Sequence, residues 1–171
     1  IEGPDAVGRT TQVERLRIWL EHEGHAVLHT GMARSALAGK GIKRAKEGHT
    51  FGPLTMTLFY ATDFSDRLEN EIIPALRAGF VVLTDRYIFS LMARAIARGA
   101  DPSWIEGVAS FALVPHAIYY LRARVEDLVQ RVVVGRGAFD YWESGMDMRF
   151  GNDMYDSFVR YQQRIIKALD S

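Results

Sequence analysis

The 171-residue chain contains no cysteine. Disulfide bridges, thiolate nucleophiles and Cys-ligated zinc are therefore excluded. It also lacks an excess of either charge, since 21 Lys and Arg balance 21 Asp and Glu. A general nucleic-acid or anionic-membrane binder would show a basic surplus, so neither partner is expected. No apolar run approaches the roughly 20 residues that cross a bilayer, and no charged stretch followed by an apolar core opens the chain. The expected compartment is the reducing cytoplasm. Histidines are few, five in all, and none shows metal-ligand spacing; His25 and His29 fall across a β-rich run rather than on one helix face.

What is present suits one folded domain over residues 1–171, with 48% hydrophobic and 25% charged residues. The chain opens at "IEGPD" and stops at "IIKALDS", so a first strand and a closing strand–helix unit are expected to be incomplete. Between these points helical and strand patterns alternate. Val13, Leu16, Ile18 and Leu20 recur at near-helical spacing, with Gly24 as the stop. A short β-rich run follows at 25–30. Residues 52–79 read as a long helix, kinked at Pro74 and ended by Gly79. "FVVLTDRY" (80–87) reads as a strand buried on both faces, and "HAIYYLR" (116–122) as another. Helices are predicted over 88–99, 102–112, from 124 to 134, and over 153–170, the last amphipathic. The glycine-rich stretch 135–152 reads as a loop. Such alternation predicts an α/β fold, a three-layer α/β/α arrangement around a central parallel sheet. Trp19 and Trp104 are expected to pack, and Met146 and Met148 to be mobile loop residues.

The chemistry begins at "GPDAVGRTTQ", residues 3–12. Gly3 and Gly8 bracket a loop (Gly3, Pro4, Asp5, Ala6, Val7, Gly8) spaced as in G-x-x-x-x-G-K-[ST]. Glycine lets successive backbone N–H groups turn inward as an anion nest, and the positive end of the following helix points at the same oxygens. Thr10, followed by Thr11, supplies a hydroxyl suited to Mg²⁺. Arg9 stands where this motif has lysine. It brings the same charge as a planar fork in place of a compact point, so phosphate binding is retained with altered geometry. A second motif, "LTDRY", lies at the carboxyl end of the 80–87 run, the usual ligand side of an open α/β sheet. There Asp85 can hold magnesium and Arg86 can clamp a phosphate.

"EGPDAVGRTTQ", "LFYATD", "DRYIFS" and "FDYWE", in this order, resemble thymidylate kinase over essentially the whole chain. The resemblance implies a P-loop NTPase-type fold with a small lid at about 135–152. It further implies transfer of the γ-phosphoryl of ATP to a nucleoside monophosphate, most naturally dTMP, with Mg²⁺ as cofactor and a homodimer as the assembly. It assigns catalysis to Arg9, Asp85, Arg86 and Arg136, with Arg131 also reaching ATP phosphates. It assigns Asp5 to the sugar 3′-hydroxyl, Tyr60 to stacking on thymine and Tyr87 to the wall beneath the sugar. Asp63, within "LFYATD", joins the acceptor site, and Asp140 and Glu143 match the acidic pair of the lid. The helix from Leu54 to Leu76 is implied to carry a dimer face.

The chain also departs from the family. Phe64 falls where the family has its substrate-binding arginine, and Arg67, one turn later, is the expected substitute. "TGMARS" (30–35) stands for an "REPG"-like segment, with Arg34 as its arginine. Arg94 occupies a position near the nucleoside where relatives carry aromatic or polar groups. Together with Arg9, these changes predict a rebuilt acceptor pocket, with another nucleotide acceptor, or nucleotide binding with little transfer, as the alternatives.

Overall fold

The computed structural model describes all of residues 1–171. Two parallel strands, β1 (Val27–Gly31) and β2 (Val81–Asp85), run in register from Val27 opposite Val81 to Gly31 opposite Asp85. The first residues extend this sheet: Arg86 N–H donates to Ile1 O at 3.0 Å, Glu2 N–H to Tyr119 O at 2.8 Å, and Leu121 N–H to Glu2 O at 2.9 Å. The segment 1–2 thus lies between β2 and residues 119–121, and the Gly3–Gly8 loop begins where this strand-like pairing ends. The strand expected over 116–122 shrinks to one parallel bridge between Glu2 and Tyr120. Its neighbour contributes only two residues to pair with, and Ile118 and Tyr119 stand exposed. β2 is likewise only half-buried along its length, not buried on both faces.

Helix α1 (Arg9–His22) starts directly from Gly8, whose φ of 100° turns the loop into the helix. The helix packs on both strands. Of the expected apolar positions only Val13 is fully buried; Ile18 and Trp19 face solvent, so Trp19 is not a packing residue, and Trp104 is also exposed. The run 52–79 forms one helical path in three parts: α3 (Pro53–Arg67), a π-helical turn (Leu68–Ile72) and α4 (Ile73–Arg77). Pro74 has no N–H and its ring crowds the carbonyl four residues back, so the turn before it widens. Helix α2 (Gly39–Glu47) was not legible from the sequence, because its three flanking and internal glycines read as loop; only Ile42 is buried.

Phe64, Leu68 and Ile72 pack against Leu91 and Ala95 of α5 (Ile88–Ala97) and against Ile105 and Ala109 of α6 (Pro102–Ala109). Asp101 caps α6 through Trp104 N–H at 2.9 Å, and Asp153 caps α8 (Met154–Leu169) through Asp156 N–H at 2.8 Å. Helix α7 (Val125–Arg136) runs two residues further than predicted, so the irregular segment comprises residues 137–152.

Gly3 carries a steric requirement of its own. Its φ is +147°, and a Cβ there would sit 2.6 Å from Leu121 O, a backbone atom that cannot swing away. Gly3→Ala is expected to destabilise the fold by about 1–3 kcal/mol. The check is a lowered urea midpoint with an unchanged m-value.

Candidate active site

The loop turns through Ala6, at φ 61°, and Gly8 to present its backbone at the N-terminus of α1. Ala6 and Arg86, at φ 69°, are non-glycine residues in the left-handed region, a cost that the surrounding contacts must hold.

Arg9 is folded against its own loop. Its Nη1 donates to Gly3 O at 2.7 Å and to Pro4 O, and its Nε donates to Asp85 Oδ1 at 2.9 Å. Nη2 has no protein partner, which leaves one edge of the fork for a bound anion. Thr10 Oγ1 donates to Asp85 Oδ2 at 2.6 Å. Burial pushes the Asp85 carboxyl up, but the Thr10 hydrogen bond and the Arg9 charge outweigh it and hold the group below its usual range. Thr10 and Asp85 therefore form a hard-oxygen pair at the loop mouth. No group of three or more His, Asp or Glu side chains is placed to hold a metal. That composition fits Mg²⁺, which binds through one or two protein oxygens together with substrate phosphates and waters.

The second cluster centres on Asp5, which is 1% exposed. Arg94 Nη2 donates to Asp5 Oδ1 at 2.8 Å and to Oδ2 at 2.6 Å, Arg86 Nη2 donates to Oδ1, and Gln162 Nε2 donates to Oδ2 at 3.0 Å. Burial alone would raise the Asp5 carboxyl; Arg86, Arg94 and Arg9 reverse this and hold it far below the carboxylate range. Burial and the neighbouring charge of Arg94 pull the Arg86 guanidinium down to about 10, so it remains charged at neutral pH. Arg86 Nε is buried without a partner. Glu2 supports this cluster from below: its Oε1 accepts from Tyr87 N–H at 2.8 Å and Ser90 N–H at 3.3 Å, and its Oε2 accepts from Ser90 Oγ. A carboxylate from the first residues thereby caps α5 and sets the position of Arg94 on it.

Beside Asp5 lies a cavity of about 30 Å³, walled by Met32, Met56, Tyr60, Leu91, Arg94 and Trp142, with Lys46 and Arg98 completing its polar edge. That is space for one or two waters. Trp142 reaches in from the 137–152 segment and donates from Nε1 to Lys46 O at 3.1 Å.

The expected residues thus divide into groups. Arg9, Thr10 and Asp85 meet at the loop; Asp5, Arg86 and Arg94 meet beside it; Tyr60 and Arg94 line the cavity. Arg131 donates to Val7 O at 2.8 Å and so touches the loop backbone. Arg136 turns to Glu143 at 2.6 Å, while Asp140 Oδ1 caps the turn at Trp142 N–H and Glu143 N–H. Arg34 is exposed without an ion-pair partner. Thr11 is exposed as well.

Four acceptor candidates, Asp63, Phe64, Arg67 and Tyr87, do not line the cavity. Phe64 packs edge-on to Tyr87 with ring centroids 4.8 Å apart. Tyr87 donates its hydroxyl to Leu113 O at 3.0 Å. Arg67 is fully buried, pairing with Asp63 at 3.1 Å and donating to Thr30 Oγ1 at 3.3 Å. Asp63 in turn accepts from Ala33 N–H at 2.8 Å and Ser35 N–H at 2.9 Å, which fixes the turn carrying Met32.

Sequence reasoning missed Arg98, Asp147, Trp142 and Gln162. Arg98 donates to Asp147 Oδ2 at 2.9 Å and to Trp142 O at 3.2 Å, and lies 4.5 Å over the Tyr161 ring. A signal existed for two of them. Arg98 follows Arg94 by four residues, one helical turn, and Gln162 interrupts the apolar stripe Phe158, Tyr161, Ile165 of α8.

A family model described as thymidylate kinase matches residues 1–168. The chain is 34% identical over 169 residues to a probable thymidylate kinase 2 of Saccharolobus solfataricus, covering 99% of this chain and 79% of that protein. It is 34% identical over 182 residues to a probable thymidylate kinase of Pyrococcus horikoshii, covering 100% and 87%. A thymidylate kinase of Bifidobacterium longum subsp. infantis is 37% identical over 130 residues, covering 70% and 56%.

Proposed function

The chain belongs to the thymidylate kinase family, and on that premise we propose that it transfers the γ-phosphoryl group of ATP to dTMP, giving dTDP and ADP. The observation that carries the reading is the Asp5–Arg86–Arg94 cluster, which joins the phosphate loop directly to the cavity lined by Tyr60 and Trp142. A donor on the loop and an acceptor in the cavity would meet at these cations.

The reaction needs no covalent enzyme intermediate. An oxygen of the acceptor phosphate bonds to the γ-phosphorus as the bond to the bridging β–γ oxygen breaks, and ADP leaves with that electron pair. The protein's task is alignment and charge neutralisation. The loop N–H groups and Thr11 hold the ATP phosphates, Arg9 offers Nη2 to them, and Arg86 places the acceptor phosphate in line. Arg131 and Arg136 reach the transferring group from the lid side, and Tyr60 stacks on the base. Thr10 and Asp85 would hold Mg²⁺, which supplies charge neutralisation between the phosphates when bound. Closure of the 137–152 segment excludes water, which limits ATP hydrolysis.

The same reading places the protein in the cytoplasm as a homodimer. No helix is long and apolar enough to cross a membrane. Leu54, Leu58, Phe59 and Leu76 are exposed along the α3–α4 path, which supports that face as the dimer contact.

The test is a coupled assay with ATP, Mg²⁺ and a panel of nucleoside monophosphates. Turnover of dTMP at least tenfold above the others is expected. Phe64 in the core and the engagement of Asp5 by Arg94 favour, as the second reading, a different nucleotide acceptor, which a different best substrate in that panel would establish. ATP binding without any phosphorylated acceptor sinks both readings.

A further inference from the structure

The 137–152 segment is tied to α2, the end of α5, α7 and α8. Trp142 Nε1 reaches Lys46 O on α2, Arg98 at the C-terminal cap of α5 holds Asp147 and Trp142 O, Arg136 of α7 holds the Glu143 carboxylate, and α8 holds the segment three times. The α8 contacts are Ser157 Oγ to Ser144 O at 2.7 Å, Gln162 Nε2 to Glu143 O at 2.9 Å, and Asn152 N–H to Asp156 Oδ2 at 3.2 Å. Among these side chains only Gln162 also touches the phosphate loop. Its Oε1 accepts from Asp5 N–H at 3.0 Å, and its Nε2 donates to Asp5 Oδ2 at 3.0 Å. The side chain is fully buried, so all three bonds are made in the absence of competing water.

One amide therefore reads the position of Asp5 and of Glu143 together. The amide plane is rigid: an Asp5 carboxylate that shifts toward an incoming acceptor must either lose the Nε2 bond or carry the amide with it. Carrying it moves the second N–H that holds Glu143 O, one residue from Trp142. Trp142 also walls the cavity. Acceptor entry thus acts on the segment both at Trp142 and through Gln162. Arg131, the other link between the loop and the lid side, reaches the Val7 carbonyl and not Asp5.

We propose that Gln162 is a positioning residue that couples occupancy of the acceptor cavity to the 137–152 segment, so that dTMP binding sets the lid for ATP. The proposal rests on the acceptor reading above. In the wild-type protein, dTMP alone should slow amide hydrogen exchange over residues 140–146 and should raise the affinity for a non-hydrolysable ATP analogue at least fivefold, within the usual range for coupled sites. In Gln162→Leu, dTMP should still bind, its effect on 140–146 should vanish, and the ATP-analogue affinity should change less than twofold on adding dTMP. Gln162→Met keeps the length of the side chain while removing both its donors and its acceptor, and should behave alike if the leucine variant fails to fold. An acceptor effect that persists in a folded variant overturns the proposal, as does dTMP binding to the wild type without protection of 140–146. Failure of dTMP to bind the wild type overturns the acceptor reading, and this proposal with it.

Discussion

Asp5→Asn is expected to lower stability by about 3–5 kcal/mol and kcat/KM by at least about 100-fold. Asn keeps the shape of the residue but removes the counter-charge of two guanidiniums. Arg86 and Arg94 would then face each other beside a buried dipole, with the Arg86 Nε already lacking a partner. Removing one member of a buried ionic cluster leaves uncompensated charge, and this is what makes the loss large. The double variant Asp5→Asn/Arg94→Met should recover part of the stability and none of the activity. Chemical denaturation and steady-state kinetics on the three proteins check this. Recovery of both, or of neither, would refute the counter-ion account.

The sign of the pH dependence follows from the same cluster. The Asp5 carboxyl lies far lower in the folded chain than the unfolded value of about 3.9. Its stabilisation is therefore fully present above about pH 4 and is lost as pH falls through the depressed folded value. Between those two values the unfolded chain binds more protons, so wild-type stability rises with pH there. Asp5→Asn should flatten that slope and leave the profile above pH 5 parallel to wild type. Denaturant midpoints measured from pH 2.5 to 6 decide it.

Arg9→Ala is expected to reduce kcat/KM by about 10²- to 10³-fold, the scale of losing one preorganised charge donor. Two functions leave with the side chain. The free Nη2 edge no longer meets the ATP phosphates, and Asp85 is no longer tied to Gly3 O and Pro4 O across the loop mouth. Arg9→Lys keeps the charge and three donors on a single nitrogen, which can reach the phosphate or Asp85 but cannot span both as the fork does. Its activity should stay within about tenfold of wild type, with the KM for ATP moving more than kcat, since the binding geometry of the loop changes more than the charge. Equal activity in all three proteins would remove Arg9 from the phosphate site altogether.

Much of this site was legible in the chain. The glycine spacing around Asp5, the Arg9–Thr10 pair and the strand-end Asp85–Arg86 pair each depend on local backbone geometry, which neighbouring residues dictate. The helix starts at Pro102 after Asp101 and at Met154 after Asp153, and the disturbance before Pro74, are local in the same sense. Family resemblance then supplied what such local motifs could do together.

Partner choice was not legible, because it is a property of distance in space. Asp5 meets Arg94 across 89 positions and Gln162 across 157, and nothing in the spacing of either residue favours that contact over solvent. The fate of Phe64 and Arg67 had the same origin. Helical periodicity put both on a shared face, but only tertiary packing decided that it turns into the core, Phe64 against α5 and α6 and Arg67 against Asp63 and Thr30. Likewise 135–152 reads as a mobile glycine-rich loop, yet within it Trp142, Ser144 and Asp147 are fastened to α2, α8 and the end of α5. The sequence by itself determined the kind of chemistry, since phosphate loops are written in consecutive residues. The tertiary structure alone decided which charges neutralise one another and which side chains wall the cavity, since those energies arise only where burial removes water from groups far apart in the chain.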